Sequence, residues 1–239
     1  MPYEYVHRAF YEGKSWVNML KAIIFDLDGI LIDSEPIAYS ILQEMVSVYG
    51  GSIPLEDYTA NYLGRTVAMG MATIKSIFNA PESEEELMEI YLRKEKEKLA
   101  EGVPLKPGVK ELLVYIKNCG YKTIVASSSV RERAESILKS YDILKYFDDM
   151  VFGYEVPKGK PNPDIFLKAC EKLGVQPHEA IVIEDSEAGI EAAYSANITT
   201  ICIPDMKHPD KHYRNMVCYM FESLFDVMRL LEEYGQMQM

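Results

Sequence analysis

Residues 22–34 read Ala22-Ile23-Ile24-Phe25-Asp26-Leu27-Asp28-Gly29-Ile30-Leu31-Ile32-Asp33-Ser34, an apolar run that stops on two carboxylates. Four apolar residues without polar alternation describe a strand buried on both faces, the kind a parallel sheet contains. Alternate strand residues share a face, so Asp26 and Asp28 project together, and like charges held that close need a cation or a shared proton. A divalent metal is the simplest answer. The same letters also describe an ordinary turn, because Asp-Gly pairs close turns in many proteins. The rest of the chain decides between the two.

Three further apolar segments end in chemically capable residues. Tyr121–Ala126 leads into Ser127-Ser128-Ser129, Met150-Val151-Phe152-Gly153 leads to Pro157-Lys158-Gly159-Lys160-Pro161, and Ala180–Ile183 leads into Glu184-Asp185-Ser186. Helical patterns separate them, from Pro107 to Gly120, Val130 to Lys139, Pro163 to Gly174 and Glu187 to Ala196, and a strand follows over Ile198–Ile203. Alternating strand and helix predicts an α/β fold, a doubly wound parallel Rossmann-like sheet with right-handed crossovers. Such sheets bind ligands at the carboxyl ends of their strands, where all four reactive groups fall. Val217–Phe221 reads as an edge strand, with a covering helix through about Glu233 and a fraying end over Gly235–Met239.

One stretch breaks the alternation. After Ser34 and Pro36, which signal a helix start, Ile37, Ile41, Leu42, Met45, Val48 and Tyr49 recur at helical spacing until Gly50-Gly51. Further helices are predicted over Val67–Phe78 and Glu84–Leu99, the latter with a charged run, Lys94 to Lys98, that reads as a solvated face. Residues 34–103 are therefore expected to form an inserted helical cap, with residues 19–33 and 104–239 as the catalytic core and residues 1–18 as an N-terminal extension. The insert leaves and rejoins the core through two short crossings, so it is expected to hinge and exclude water during reaction.

The four segments in this order resemble the haloacid dehalogenase superfamily, and within it the sugar-phosphate group with a helical cap after the first motif, which contains β-phosphoglucomutase and many small-molecule phosphatases. The resemblance covers about residues 19 to 230. It implies Asp26 as the nucleophile that forms an aspartyl-phosphate, and Asp28 as general acid and base, its backbone carbonyl a metal ligand. Asp28 separates the chain from the true dehalogenases, which lack a carboxylate there. The resemblance implies further that Ser127, with the Ser128 and Ser129 amides, holds phosphoryl oxygens, and that Lys160 bridges nucleophile and phosphate. Lys158 competes for that role, but the proline directly after Lys160 matches the family spacing. Asp26, Asp28, Asp185 and Glu184 form the implied metal set, with Asp185 direct and Glu184 direct or through water. Hard oxygen ligands plus waters describe Mg2+. Arg65, in Leu63-Gly64-Arg65-Thr66, resembles the substrate loop of the capped group.

Composition narrows the partners. A net charge of −12 over 239 residues leaves no basic footprint for nucleic acid or an anionic membrane, whereas one lysine and a metal can reverse the field locally for a small phosphorylated metabolite. Cys119, Cys170, Cys202 and Cys218 are scattered without C-x-x-C spacing, as reduced cytoplasmic thiols are. A cytoplasmic protein, monomeric or weakly dimeric, is expected. His208 and His212 stand four apart, but Pro209 interrupts them and they read as a surface loop.

The expected function is a magnesium-dependent phosphatase that hydrolyses a small phosphomonoester, plausibly a sugar phosphate, through an aspartyl-phosphate. The alternative is a β-phosphoglucomutase-type sugar phosphomutase. Mutases of the group carry extra cations for a second phosphate, whereas here Ala38 stands where they have a cap-helix histidine and Val130 where a lysine is common. A phospho-acceptor signalling domain also gathers Asp, Ser or Thr, and Lys at strand ends, but with its acidic pair first, its acceptor on a later strand and no insert.

Overall fold

In a computed structural model of the chain, residues 19–63 and 66–236 are described. The expectations for residues 1–18, for Arg65 and for the last three residues lie outside them. The described residues form two compact units, one of residues 33–104 and the other of the chain on either side.

The larger unit is built on a sheet of six parallel strands, among the described residues: β1 (Ala22–Phe25), β2 (Lys122–Ser127), β3 (Asp149–Phe152), β4 (Ala180–Glu184), β5 (Thr199–Cys202) and β6 (Tyr219–Met220). Their order is β3-β2-β1-β4-β5-β6, so the chain works outward from β1 in one direction and then returns to its other side. Ile24 pairs with Ile124 of β2 and Val182 of β4, which makes β1 central and buried throughout. The carboxyl ends of β1, β2 and β4 therefore come together where the strand order reverses, the crevice in which sheets of this kind hold ligands.

Helices cover both faces, as parallel strands require. On one face Ala22, Ile24, Ile124, Ala126, Val151 and Val182 meet Phe166, Ala169, Cys170 and Leu173 of a helix over Asp164–Leu173 and Ala192 and Ala193 of another over Glu187–Ser195. The spacing of Phe166, Ala169, Cys170 and Leu173 is one helical stripe, and burying it removes most of its apolar area from water. The remaining helices of this unit are Val109–Asn118, Arg131–Ser140, Lys211–Arg214 and Leu224–Gln236. The last continues past Glu233 and Gly235, where fraying was expected.

The smaller unit is helical: α1 (Glu35–Ser47), α2 (Leu55–Asn61), α3 (Val67–Phe78) and α4 (Glu84–Glu101). In the other unit the helices take the numbers α5 (Val109–Asn118), α6 (Arg131–Ser140), α7 (Asp164–Leu173), α8 (Glu187–Ser195), α9 (Lys211–Arg214) and α10 (Leu224–Gln236). The start of α4 is fixed by a capping box: the Glu86 amide donates to the Ser83 hydroxyl and the Ser83 amide to the Glu86 carboxylate. Its charged run is partly tied down, since Lys94 and Lys98 both reach Glu44 of α1 at 2.7 Å. Exposed pairs of this kind add little to stability. No described helix is long and apolar enough to cross a membrane.

Candidate active site

The ladder of β1 continues one residue past the strand, where the Asp26 amide donates to the Ile183 carbonyl at 3.1 Å. That bond fixes Asp26 at the carboxyl edge of the sheet. Its carboxylate is buried and accepts from the Lys160 ammonium at 2.6 Å, and Lys160 reaches Glu184 on β4 at the same distance. Lys160 follows β3 on a loop with a cis Lys160-Pro161 bond. Its side chain is 6% exposed and sits over the Phe166 ring, whereas Lys158 is exposed. The structure thus brings Lys160, and not its neighbour, to Asp26.

One cation between two buried carboxylates leaves a deficit of positive charge, and the proton equilibria register it. Burial pushes the Asp26 carboxyl up to about 7; attraction to Lys160 opposes this, and repulsion from Glu184 and Asp28 adds to it. Burial alone would push the Lys160 ammonium down, but Asp26 and Glu184 together raise it above the ordinary lysine range. Lys160 is therefore a fixed positive charge at any physiological pH.

Glu184 is fully buried and uses both of its oxygens. One accepts from Lys160, while the other accepts from the amides of Asp185 and Ser186 at 2.8 Å and from the Ser186 hydroxyl at 3.0 Å. Gly189, on the first turn of α8, makes the room, since a Cβ there would lie 1.7 Å from Glu184 Oε1. Glu184 is thus a counter-ion and anchor of Lys160. Asp185 lies past the end of β4 and its carboxylate is pressed against the turn after β1: a Cβ at Gly29 would come within 2.4 Å of Asp185 Oδ2, and Gly29 has φ +78°. Only glycine satisfies both the backbone and the close approach. That contact puts Asp185 beside the Asp26–Asp28 loop.

Ser127 ends β2, 1% exposed. Its hydroxyl oxygen accepts from the Ser129 amide at 3.0 Å, which engages that amide and leaves the Ser127 hydroxyl proton to be donated elsewhere. Asp28 is held by a residue that sequence reasoning missed. Arg133, on the first turn of α6, donates to both of its oxygens at 2.8 and 3.1 Å and to the Ser129 hydroxyl at 3.0 Å. In the sequence Arg133 is simply the second arginine of Arg131-Glu132-Arg133, and no spacing rule separates it from a solvated one. Gly189 was equally silent. His208 and His212 are exposed.

A divalent metal can be tested against this donor set. Among the described residues no three His, Cys, Asp or Glu side chains converge as a ready cage, in keeping with Glu184 engaged by Lys160 and Asp28 by Arg133. The residues whose oxygens would hold a metal are Asp26 and Asp185, with the backbone carbonyl of Asp28. Two carboxylates, a carbonyl and waters suit magnesium, which keeps much of its hydration and seldom takes an all-protein cage. The set fits.

Comparison with known proteins identifies the family. A family model described as haloacid dehalogenase-like hydrolase matches residues 23–203. A phosphorylated carbohydrates phosphatase of Thermotoga maritima is 35% identical over 182 residues, 76% of this chain and 84% of that protein. Hexitol phosphatase B of Escherichia coli K12 is 31% identical over 189 residues, 78% of this chain and 85% of that protein. Among solved structures, a Thermotoga maritima chain classed with the β-phosphoglucomutases is 30% identical with a TM-score of 0.76, covering 90% of this chain and 99% of that one.

Proposed function

This chain belongs to the haloacid dehalogenase-like hydrolases and is a phosphoric monoester hydrolase, and we propose that it hydrolyses a sugar or polyol phosphate through an aspartyl-phosphate on Asp26, with magnesium. The observation that carries this reading is the buried Asp26–Lys160–Glu184 array at the sheet's carboxyl edge. The carbohydrate and hexitol phosphatases among the relatives support the substrate class.

In this reading Asp26 attacks phosphorus while the P–O bond to the leaving group breaks, and Lys160 holds the attacking carboxylate and then an oxygen of the transferred group. Glu184 keeps Lys160 in place. Ser127 donates its free hydroxyl proton to a phosphoryl oxygen, and its own orientation comes from the Ser129 amide. Asp28 gives a proton to the departing alkoxide and then takes one from the water that attacks the aspartyl-phosphate. Magnesium, held by Asp26, Asp185 and the Asp28 carbonyl, would neutralise phosphoryl charge as it develops. The chain's own task is positioning and charge compensation, most of what phosphoryl transfer asks of a protein.

Two outcomes follow. Turnover stops when a strong chelator removes the metal, and Asp185→Ala raises the magnesium concentration needed for half-maximal rate by about tenfold or more, since even outer-shell partners of metal sites cost that much. Turnover that survives chelation would remove magnesium from the account. Second, incubation with β-glucose 1-phosphate yields inorganic phosphate faster than glucose 6-phosphate, with no stimulation by glucose 1,6-bisphosphate. Isomerisation that outruns phosphate release, and rises with bisphosphate, would replace the phosphatase reading with a mutase one.

A further inference from the structure

Two arginines open α6, and they do different work. Arg131 donates to Glu155 at 2.9 Å and to the Met150 carbonyl at 3.3 Å, with its guanidinium 4.9 Å from the centre of the Phe152 ring. It ties the helix to the end of β3. Arg133 is two residues on and so points to another side of the helix, where it forks both oxygens of Asp28 and touches the Ser129 hydroxyl. The Arg133 side chain is 14% exposed and that of Asp28 32%, so the pair stands at the open rim of the site and not in sealed core.

The pair keeps contact with solvent, so a competing anion can reach it, and a planar fork that fits one carboxylate fits another, or a phosphate, equally well. A carboxylate with both oxygens in that fork has no proton to give a leaving group. Asp28 can serve the ester oxygen only once the fork opens. In the proposed mechanism Asp28 serves the leaving oxygen, so a guanidinium released there, still beside the Ser129 hydroxyl that braces it, would meet the leaving group and need a new acceptor.

Resting on the phosphatase reading above, we propose that Arg133 is a specificity-determining residue: it exchanges Asp28 for a second anionic group, carboxylate or phosphate, carried by the leaving group of the substrate. The exchange breaks no covalent bond. The Nη1 and Nη2 donors pass from one pair of oxygens to another, and Ser129 keeps the guanidinium aimed while they do. The favoured substrates are then phosphorylated sugar acids or bisphosphorylated polyols rather than neutral sugar phosphates.

Two esters that differ in one group test this. 3-Phosphoglycerate and glycerol 3-phosphate share a three-carbon chain and a terminal phosphate, and the first has a carboxylate where the second has a hydroxymethyl group. The ratio of kcat/KM for the acid to that for the alcohol should favour the acid in the wild-type chain and fall about tenfold to a hundredfold in Arg133→Met, mainly through KM for the acid. Arg133→Lys, which keeps the charge but cannot fork, should fall between them, and thermal unfolding of both variants checks that they are folded. A wild-type ratio that favours the alcohol, or equal losses on both esters with the ratio unchanged, would overturn the proposal. An unchanged ratio would leave Arg133 a support for Asp28 or for the fold. Failure of the wild-type chain to release phosphate from any monoester is a different result, which removes the phosphatase reading and this proposal with it.

Discussion

Replacing Asp26 with asparagine is expected to abolish phosphate release, by about four orders of magnitude or more, and at the same time to stabilise the metal-free protein at pH 8. The two effects share a cause. Asp26 is buried with Glu184 and Asp28 nearby, and one lysine does not compensate the group, so its carboxyl is raised to about 7 from the 3.8 of an exposed aspartate. Between those pH values the folded chain binds a proton that the unfolded chain does not. Stability therefore falls as pH rises from about 4 to about 7 and levels off above it. An amide of the same shape never ionises, so Asp26→Asn escapes that loss, a gain on the order of a few kcal/mol at pH 8 that is much smaller at pH 5 and vanishes only below about pH 4. Melting curves in chelator at the two pH values, beside a phosphate assay with magnesium, test both halves. Retained turnover would remove Asp26 as nucleophile, and equal destabilisation at both pH values would contradict the charge balance of the site.

Lys160→Met should be worse for the protein than any other single change in the site. It leaves Asp26 and Glu184 as buried carboxylates with no cation between them, and breaking a buried pair by removing one partner costs about 3–5 kcal/mol, a large share of the stability of a typical domain. The wild-type lysine is held above the ordinary lysine range, so its contribution is fully present at neutral pH and is lost only in strong alkali. In the variant the buried Asp26 carboxyl, already raised by burial, gains by protonation, so the loss should be largest at pH 8 and shrink towards pH 5, with hydrolysis absent at either. Denaturant titrations across that range check the slope. A variant as stable as the parent at pH 8 would mean that water or a shifted side chain compensates the two acids, and that the array does not hold the site together.

The elements legible in the sequence were those with strong periodic or positional signals. Ala22–Phe25 could be read as a buried strand because nothing polar interrupts it, and a parallel, doubly wound sheet followed from the alternation that begins at Pro107, though not the order of its strands. Helix α2 went unread: seven residues, Leu55–Asn61, are two turns, with Tyr58 their one buried side chain, too little for a period to show. In the acidic pair Glu184-Asp185 the sequence makes Asp185 the direct metal ligand and Glu184 a ligand direct or through water, and it does not say where β4 stops. The strand ends at Glu184, which turns one acid into the buried anchor of Lys160 and sends the other to Gly29. Lys160 was separable from Lys158 only through the proline that follows it. Arg133 and Gly189 carried no readable signal. The first acts across 105 residues on Asp28, and the second works by the absence of atoms, which matters only once Glu184 is known to fill the space.

The proposed chemistry stands on one covalent bond, and mass spectrometry can look for it directly. The enzyme is mixed with magnesium and a phosphomonoester that it hydrolyses, quenched in acid within a turnover, and digested at low pH, where an acyl phosphate survives. The expected result is one added HPO3 group on the peptide that contains Asp26, absent from Asp26→Asn and lost when the peptide is treated with hydroxylamine. Phosphate release at the full rate with no label on that peptide, or a label on another residue, would contradict the account.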